Sequence, residues 1–380
     1  MIGNILRLLA TTASAPEQND HEDDSTLFSP AQDKLLLRIV FIESIFSFIG
    51  SSIIIISYLK FPNLRKFSLQ LVLWLSVSDC GACLSYFLGD PRDNTILCTS
   101  QAIIQSFFEL ASVLWTTIIA YTLFRLIISQ KTSAHLIYKF HAFAWGISLI
   151  ACVLPLSTDS YGNSGSWCWI AIPLDSEGKT KTNLLIAGNA WRFFLFYFPL
   201  WLAIAYNTAV YIIVTRTLKR VANTQCDESK PKYLKMIRRL RLYPLVLILC
   251  WTFGTINRFQ NVVNPAEPIY ILFILQVSTR SLQGIFNASV YGMNSHVIDE
   301  WCLFLRDLGL CGCCCTDNAI SEYVGDETND SSLEGWTRVD DDAEDRNADP
   351  TYEGGLIGSR TNSRNDSKNS RINSTERSLI

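Results

Sequence analysis

Residues 39–59 read IVFIESIFSFIGSSIIIISYL, twenty-one residues with a single charge, Glu43. A helix rises about 1.5 Å per residue, so about 20 mostly apolar residues cross the hydrocarbon of a bilayer. The stretch fits one membrane span. Four other runs have the same character. Residues 67–88 carry only Asp79, and residues 101–124 carry only Glu109 before Arg125 closes the run. Residues 140–156 and 193–214 carry no charge, with His141 the one ionisable group in the former. Two further runs are weaker: 242–256 (LYPLVLILCWTFGTI) stops after 15 residues at Asn257 and Arg258, and 267–292 contains Arg280. A short sixth span and a polar seventh are expected if both face the inside of a bundle. Five spans with two buried or re-entrant segments is the alternative. The expected fold is an all-α integral membrane protein: a seven-transmembrane helix bundle over residues 35–295.

The rest of the chain fits that bundle. Of 380 residues, 49% are apolar and only 18% charged, against about 25% charged in an ordinary soluble domain. The net charge of −3 hides three parts: −4 over residues 1–34, +9 over 35–315 and −8 over 316–380. A strongly basic nucleic-acid binder is excluded as the default. So is a small disulfide-dense scaffold. The bases concentrate on alternate loops. Lys60, Arg65 and Lys66 lie in the first, Lys131 and Lys139 in the third, and nine, including Lys235, Arg238 and Arg239, in the fifth at 215–241. The opposite loops hold Arg92, Lys179, Lys181 and Arg192, with Arg258 near the last. The basic side is expected to be cytoplasmic, which puts the N-terminus outside and the tail inside a plasma membrane. Ala13-Ser14-Ala15 has the form of a signal cleavage site, but Arg7 interrupts the apolar run before it. Residues 1–34 therefore read as an uncleaved, disordered extracellular arm.

Cysteines divide by compartment. Cys98 and Cys168 are the two on the expected oxidising side. They are natural partners there, with two free thiols as the alternative. Cys311, Cys313, Cys314 and Cys315 follow the seventh span. Before them, Val297, Trp301, Phe304 and Leu308 recur at helical spacing, so 296–315 reads as an amphipathic helix on the membrane surface followed by candidate S-palmitoylation sites. A metal site is the competing reading of that cluster. The four histidines are scattered, however, and neither a metal nor another cofactor is expected. The tail 316–380 is acidic and rich in Ser and Thr. It reads as disordered and as a substrate for a receptor kinase or an arrestin-like regulator; a plain solubilising tail is the alternative.

Ionisable groups inside a membrane are functional candidates. Asp79 lies mid-span, and Asn287 and Tyr291 lie one turn apart in the seventh. They suit either a polar switch or a static hydrogen-bond cluster. Arg125 falls 27 residues after Cys98, about 40 Å along a helix. That depth suits contact with a cytoplasmic partner, or simple snorkelling. Pro199 and Pro244 favour kinks. Trp251 follows Pro244 and is either a lever or packing. Glu109, Arg258 and Arg280, with Trp167 and Trp169 in the outer loop, outline a pocket. Two arginines suit an anionic ligand group; an internal pair between Glu109 and one arginine is the alternative. Lys235, Arg238 and Arg239 suit anionic lipid or an acidic partner.

Several stretches also form a pattern. They are Leu64-Arg65-Lys66-Phe67-Ser68, Leu75-x-x-Ser78-Asp79, Gly89-Asp90-Pro91, Leu114-Trp115-Thr116-Thr117, Trp167-Cys168-Trp169, Tyr243-Pro244-Leu245 and Trp251-x-Phe253-Gly254-Thr255-Ile256-Asn257-Arg258. Spread in order over about residues 40–295, they resemble the cyclic-AMP-receptor-like family of G-protein-coupled receptors known from slime moulds. The chain looks closest to that family's plant-type member. The resemblance implies a seven-helix receptor that promotes nucleotide exchange on a heterotrimeric G protein, and it implies a Cys98–Cys168 bridge. It does not carry over cyclic AMP itself, because plant-type members have no secure ligand. Three departures from wider receptor patterns stand out: Ala288 replaces a proline in Asn287-Ala288-Ser289-Val290-Tyr291, Phe124-Arg125-Leu126 keeps only the arginine of D-R-Y, and Cys250-Trp251-Thr252-Phe253 lacks a proline. The reading is a receptor, not an enzyme, for an extracellular ligand that is small and anionic, cyclic-nucleotide-like. A ligand-independent membrane scaffold is the runner-up. A transporter is disfavoured because no internal repeat is visible by eye. Among pumps, a retinal pump needs a lysine in the last span, and 267–292 has none.

Overall fold

The computed structural model describes residues 28–93, 95–164, 167–171, 188–224, 242–264, 268–292 and 295–308. Helix α1 (Pro30–Lys60) starts at a capping box: the Gln32 amide N–H donates to Ser29 Oγ, and the Ser29 amide N–H to Gln32 Oε1. Pro30 stands at the first helical position, where its missing N–H costs nothing. The helix thus opens inside the stretch expected to be an arm. Phe28 just before it is buried edge-on against Tyr270 and Phe273 at 5.2 and 4.9 Å. A short 3-10 turn, Pro62–Leu64, leads to α2 (Phe67–Tyr86). Arg65 caps the end of α1 by donating to the carbonyls of Tyr58 and Leu59 at 3.3 and 2.6 Å.

Helix α3 (Ile96–Ile127) begins where Thr95 Oγ1 accepts the Cys98 amide. Helix α4 (Ile137–Val153) follows, then a hairpin of β1 (Tyr161–Asn163) and β2 (Cys168–Ile170), paired antiparallel with Gly162 opposite Trp169. A π-helical turn, Arg192–Tyr197, enters α5 (Phe198–Thr224). Helices α6 (Leu242–Val263) and α7 (Tyr270–Ser281) come next; the last span continues through Gln283–Asn287 and a π-helical turn, Ala288–Gly292. Helix α8 (Ser295–Asp307) closes the described chain.

Among the described residues, five helical stretches are long and apolar enough to cross a membrane. With α6 and the α7 span they close a seven-helix bundle. Helix α1 packs on α2, α2 on α3, α3 on α4 and α5, α5 on α6, α6 on α7, and α7 back on α1. Helix α3 also carries both strands, so it is the axis of the molecule. Large apolar side chains such as Ile42, Phe46, Ile49 and Leu202 point outward, as a lipid-facing surface requires.

The structure adds four details to the sequence reading. The sixth helix is not a 15-residue span but 22 residues long, because its polar members face inward: the Asn257 amide donates to Gln276 Oε1 at 2.7 Å. Pro244 stands in the first described turn of α6. The outer loop holds the hairpin. Leu308 does not join the buried face of α8, being 54% exposed one residue past the helix. The remainder of that face docks as spaced. Trp301 Nε1 donates to Ser57 Oγ at 2.7 Å, Phe61 meets Trp301 and Phe304 edge-on, and Lys60 lies 3.1 Å over the Phe304 ring.

Candidate functional site

The polar residues of the bundle form a column that starts under the hairpin. The Cys98–Cys168 disulfide ties β2 to the first turn of α3. One turn on, the fully buried Gln101 completes the anchor: its amide donates to the carbonyls of Ser85 and Gly89, and its Oε1 accepts the Cys168 N–H at 2.8 Å. Asp93 accepts the Asn163 N–H at 2.9 Å and holds the other strand. Burial pushes the Tyr161 hydroxyl up, so it stays a donor, to the Cys152 carbonyl at 2.8 Å. The hairpin is therefore fixed over the bundle rather than draped across it.

Trp169 is the tip of this plug. It is 1% exposed, and three guanidinium groups surround its ring: Arg258 at 5.4 Å, Arg280 at 5.5 Å and Arg192 at 5.9 Å. Each is within range for a cation–π contact. Trp169 also meets Phe196 edge-on at 5.6 Å. Trp167 is also buried but packs in the apolar core at the hairpin end.

Below Trp169, Arg280 forms a two-point ion pair with Glu109: Nε donates to Oε1 at 2.6 Å and Nη2 to Oε2. The Tyr86 hydroxyl donates to the same Glu109 Oε1 at 2.7 Å. Arg280 also lies 5.3 Å from the ring of Trp251, which in turn packs on Phe196 at 4.8 Å. Of the two sequence readings of Glu109 and its arginines, the geometry presents the internal pair for Arg280 and leaves Arg258 apart from it.

A small cavity of about 20 Å³ joins this pair to the next level, room for about one water. Its lining includes Glu109, Arg280, Tyr86, Asp79, Ser112 and Gln283. Asp79 accepts from Ser112 Oγ at 2.7 Å and from Asn287 Nδ2 at 2.9 Å, and Gln283 Nε2 donates to Ser112 Oγ at 2.9 Å. Asp79 and Asn287, paired by depth in the sequence, do meet. Tyr291 lies in the π-helical turn that follows; its side chain is outside the described residues.

Arg125 sits in the last turn of α3, at the end away from the hairpin, with its guanidinium 6.0 Å from the Tyr121 ring. Lys235, Arg238, Arg239 and Cys311, Cys313, Cys314 and Cys315 lie outside the described residues. Among the described residues no group of His, Cys, Asp or Glu is arranged to hold a metal ion.

Sequence reasoning missed Arg192, Gln101, Tyr86, Ser112, Ser164 and Gln283. Arg192 was visible only as a loop charge just ahead of an apolar run. The others are neutral side chains common in any span, and no spacing singles them out.

The family described as slime mold cyclic AMP receptor matches residues 29–302 of the chain. The G-protein coupled receptor 1 of Arabidopsis thaliana is 39% identical over 259 residues, covering 66% of this chain and 76% of that protein. The cyclic AMP receptor-like protein A of Dictyostelium discoideum is 26% identical over 347 residues, 90% of this chain and 86% of the relative. The mouse G-protein coupled receptor 157 is 26% identical over 313 residues, 75% of this chain and 90% of the relative.

Proposed function

The chain belongs to the slime mold cyclic AMP receptor family, and from that premise we propose how this G-protein-coupled receptor carries a signal. It is a multi-pass membrane protein. In the proposed reading it sits in the plasma membrane with its N-terminus and hairpin outside and its tail in the cytoplasm. A small anionic ligand enters under the hairpin. Its anionic group competes with Glu109 for the guanidinium groups around Trp169. Loosening Arg280 from Glu109 frees Tyr86 and disturbs the adjoining Asp79–Ser112–Gln283–Asn287 network. Trp251 moves with Arg280, so α6 and α7 shift together. A ligand that binds the shifted arrangement better populates it in proportion to that difference in affinity. The far end, with Arg125 and the 215–241 loop, then meets a heterotrimeric G protein. The 296–315 segment meets membrane lipid, with the cysteine cluster lipidated, and the tail recruits a kinase or arrestin-like regulator.

The observation that carries this reading is the continuous line of buried polar contacts from Trp169 through Arg280, Glu109 and the small cavity to Asp79 and Asn287. The names of the slime-mould relatives make cyclic nucleotides the first ligands to try. In the test, purified receptor in nanodiscs is screened for agonist-dependent GDP release from Gα subunits. An active nucleotide should lose its effect on Arg125→Ala receptor while surface expression stays intact. Equal exchange by Arg125→Ala and wild type would remove Arg125 from the coupling face, and a screen without any agonist effect would overturn the anionic-ligand reading.

A further inference from the structure

Two arginines at the hairpin end have no carboxylate partner among the described residues. Glu109 is occupied by Arg280 and Tyr86. Arg192 and Arg258 instead converge on one hydroxyl: both donate an Nη2–H to Ser164 Oγ, each at 3.3 Å. Arg192 Nε is satisfied by the Ile170 carbonyl at 2.7 Å. Arg258 Nε is buried and has no acceptor among the described residues, and the Tyr197 hydroxyl is the further hydrogen-bonding group that faces this guanidinium. The two guanidinium groups repel each other, and Arg258 also feels Arg280. Among the described residues, three cations around Trp169 against one carboxylate leave the site two positive charges in excess. Such an excess in a desolvated place is unfavourable unless an anion compensates it.

The donors say which anion. A guanidinium offers N–H groups in a planar fork that matches two oxygens at once, where a lysine would offer a point charge. The N–H groups that the two guanidiniums have left, the Nε–H of Arg258 among them, and the hydroxyl proton of Ser164 give more donors at one place than the two oxygens of a carboxylate absorb. A tetrahedral oxyanion fits them better.

We propose that Arg192, Arg258 and Ser164 form an anion site under the hairpin for a phosphate-class oxyanion, either free or as one group of a larger ligand. This deepens the receptor reading above. It rests on that reading only where the anion belongs to an agonist, and it adds Arg192 and Arg258 as anchors beside Arg280. Its test therefore uses stability, not G-protein activation.

Full-length receptor in detergent is melted in potassium gluconate, followed by tryptophan fluorescence, while inorganic phosphate, glycerol phosphate or acetate is titrated in at constant ionic strength. Wild type should show a saturable rise in melting temperature with phosphate or its ester and no such rise with acetate. A response to both phosphates means the site takes the free ion, and a response to the ester alone means it takes a group within a larger molecule. Either supports the site. In gluconate, Arg258→Gln should melt above wild type, because it removes uncompensated charge. In phosphate the order should reverse. Arg192→Gln and the charge-keeping Arg258→Lys should weaken the apparent phosphate affinity at least tenfold. Phosphate stabilises folded proteins in general, so the difference between variant and wild type is what counts. If the variants are shifted by the same amount in gluconate and in phosphate, or if wild type does not saturate, the site does not exist. Loss of agonist response with an intact phosphate response would refute the receptor reading alone.

Discussion

The Glu109–Arg280 pair is the point at which single residues decide the behaviour of the molecule. Both side chains are buried, at 4% and 7% exposed, so neither charge can lean on water. Breaking a buried pair by removing one member leaves the other uncompensated and costs about 3–5 kcal/mol, whereas removing both is often nearly neutral. Glu109→Gln and Arg280→Gln should therefore each lower the yield and melting temperature of purified receptor strongly. The double variant should recover most of the loss, a coupling that a double-mutant cycle measures directly. Independent, additive losses would mean that the pair is not the energetic unit its geometry implies. The two readings open from sequence, ligand pocket or internal pair, differ by whether an arginine comes close enough to Glu109 to pair with it. That choice depends on the relative depth and rotation of α3 and α7, which no spacing along the chain encodes. Asp79 and Asn287 were easier to match, since each lies deep in its span and a bundle interior is the tolerable place for both.

At the scale of helices, the last span shows how two elements shape each other. Ser47 of α1 donates its hydroxyl proton to the Ser281 carbonyl at 2.5 Å and accepts the Ile285 N–H at 3.3 Å. A side chain is thus inserted between two groups that would bond each other in an unbroken helix, which accounts for the break at Leu282. The insertion needs close approach, and small residues supply it: Ser44, Ser47, Gly50 and Ser51 line the buried face of α1, in the manner of membrane helices that pack through small side chains. A Cβ on Gly284 would lie 2.9 Å from Ser51 Oγ and 3.2 Å from the Ser47 carbonyl oxygen. Gly284→Val should force α1 and the last span apart and destabilise by about 1–3 kcal/mol, seen as lower thermal stability and surface expression. Gly146 is the control. It has open space around its Cβ position, so Gly146→Ala should be neutral or stabilise by about 0.5–1 kcal/mol. Equal effects at the two sites would contradict the close packing. Of the elements, the long apolar helices were legible because hydrocarbon thickness sets their length. The hairpin was not, since its three-residue strands are too short for alternation to register, and the π-helical turns leave no compositional mark. The full length of α6 was hidden for another reason: Asn257 and Arg258 end an apolar run without ending a helix.

For the molecule as a whole, two independent arguments bear on which way it faces, and they agree. The first is charge. Lys60, Arg65, Lys66, Lys131, Lys139 and, in the last turns of α5, Arg216, Lys219 and Arg220 gather at the end away from the hairpin, and clusters of Lys and Arg in short loops stay on the cytoplasmic side. The second is redox chemistry. The Cys98–Cys168 bridge lies at the hairpin end, and such bonds form and persist in oxidising compartments. The other described cysteines, Cys80, Cys83, Cys152 and Cys250, lie within the spans, and Cys302 lies on α8 at the opposite end. Neither argument uses the other's residues, so their agreement is informative. An epitope tag placed before Met1 should bind antibody on intact cells, and a tag after Ile380 should bind only after permeabilisation. A reducing agent that cannot cross the membrane should open the bridge in intact cells and mobilise the hairpin, weakening any ligand response. Staining of the C-terminal tag on intact cells would place the basic loops outside, leave the bridge in a reducing cytosol and refute the proposed direction of signalling. A seven-span chain fixes the two termini on opposite sides, so finding both tags exposed would refute the span count instead. The tag experiment therefore separates an error in orientation from an error in topology.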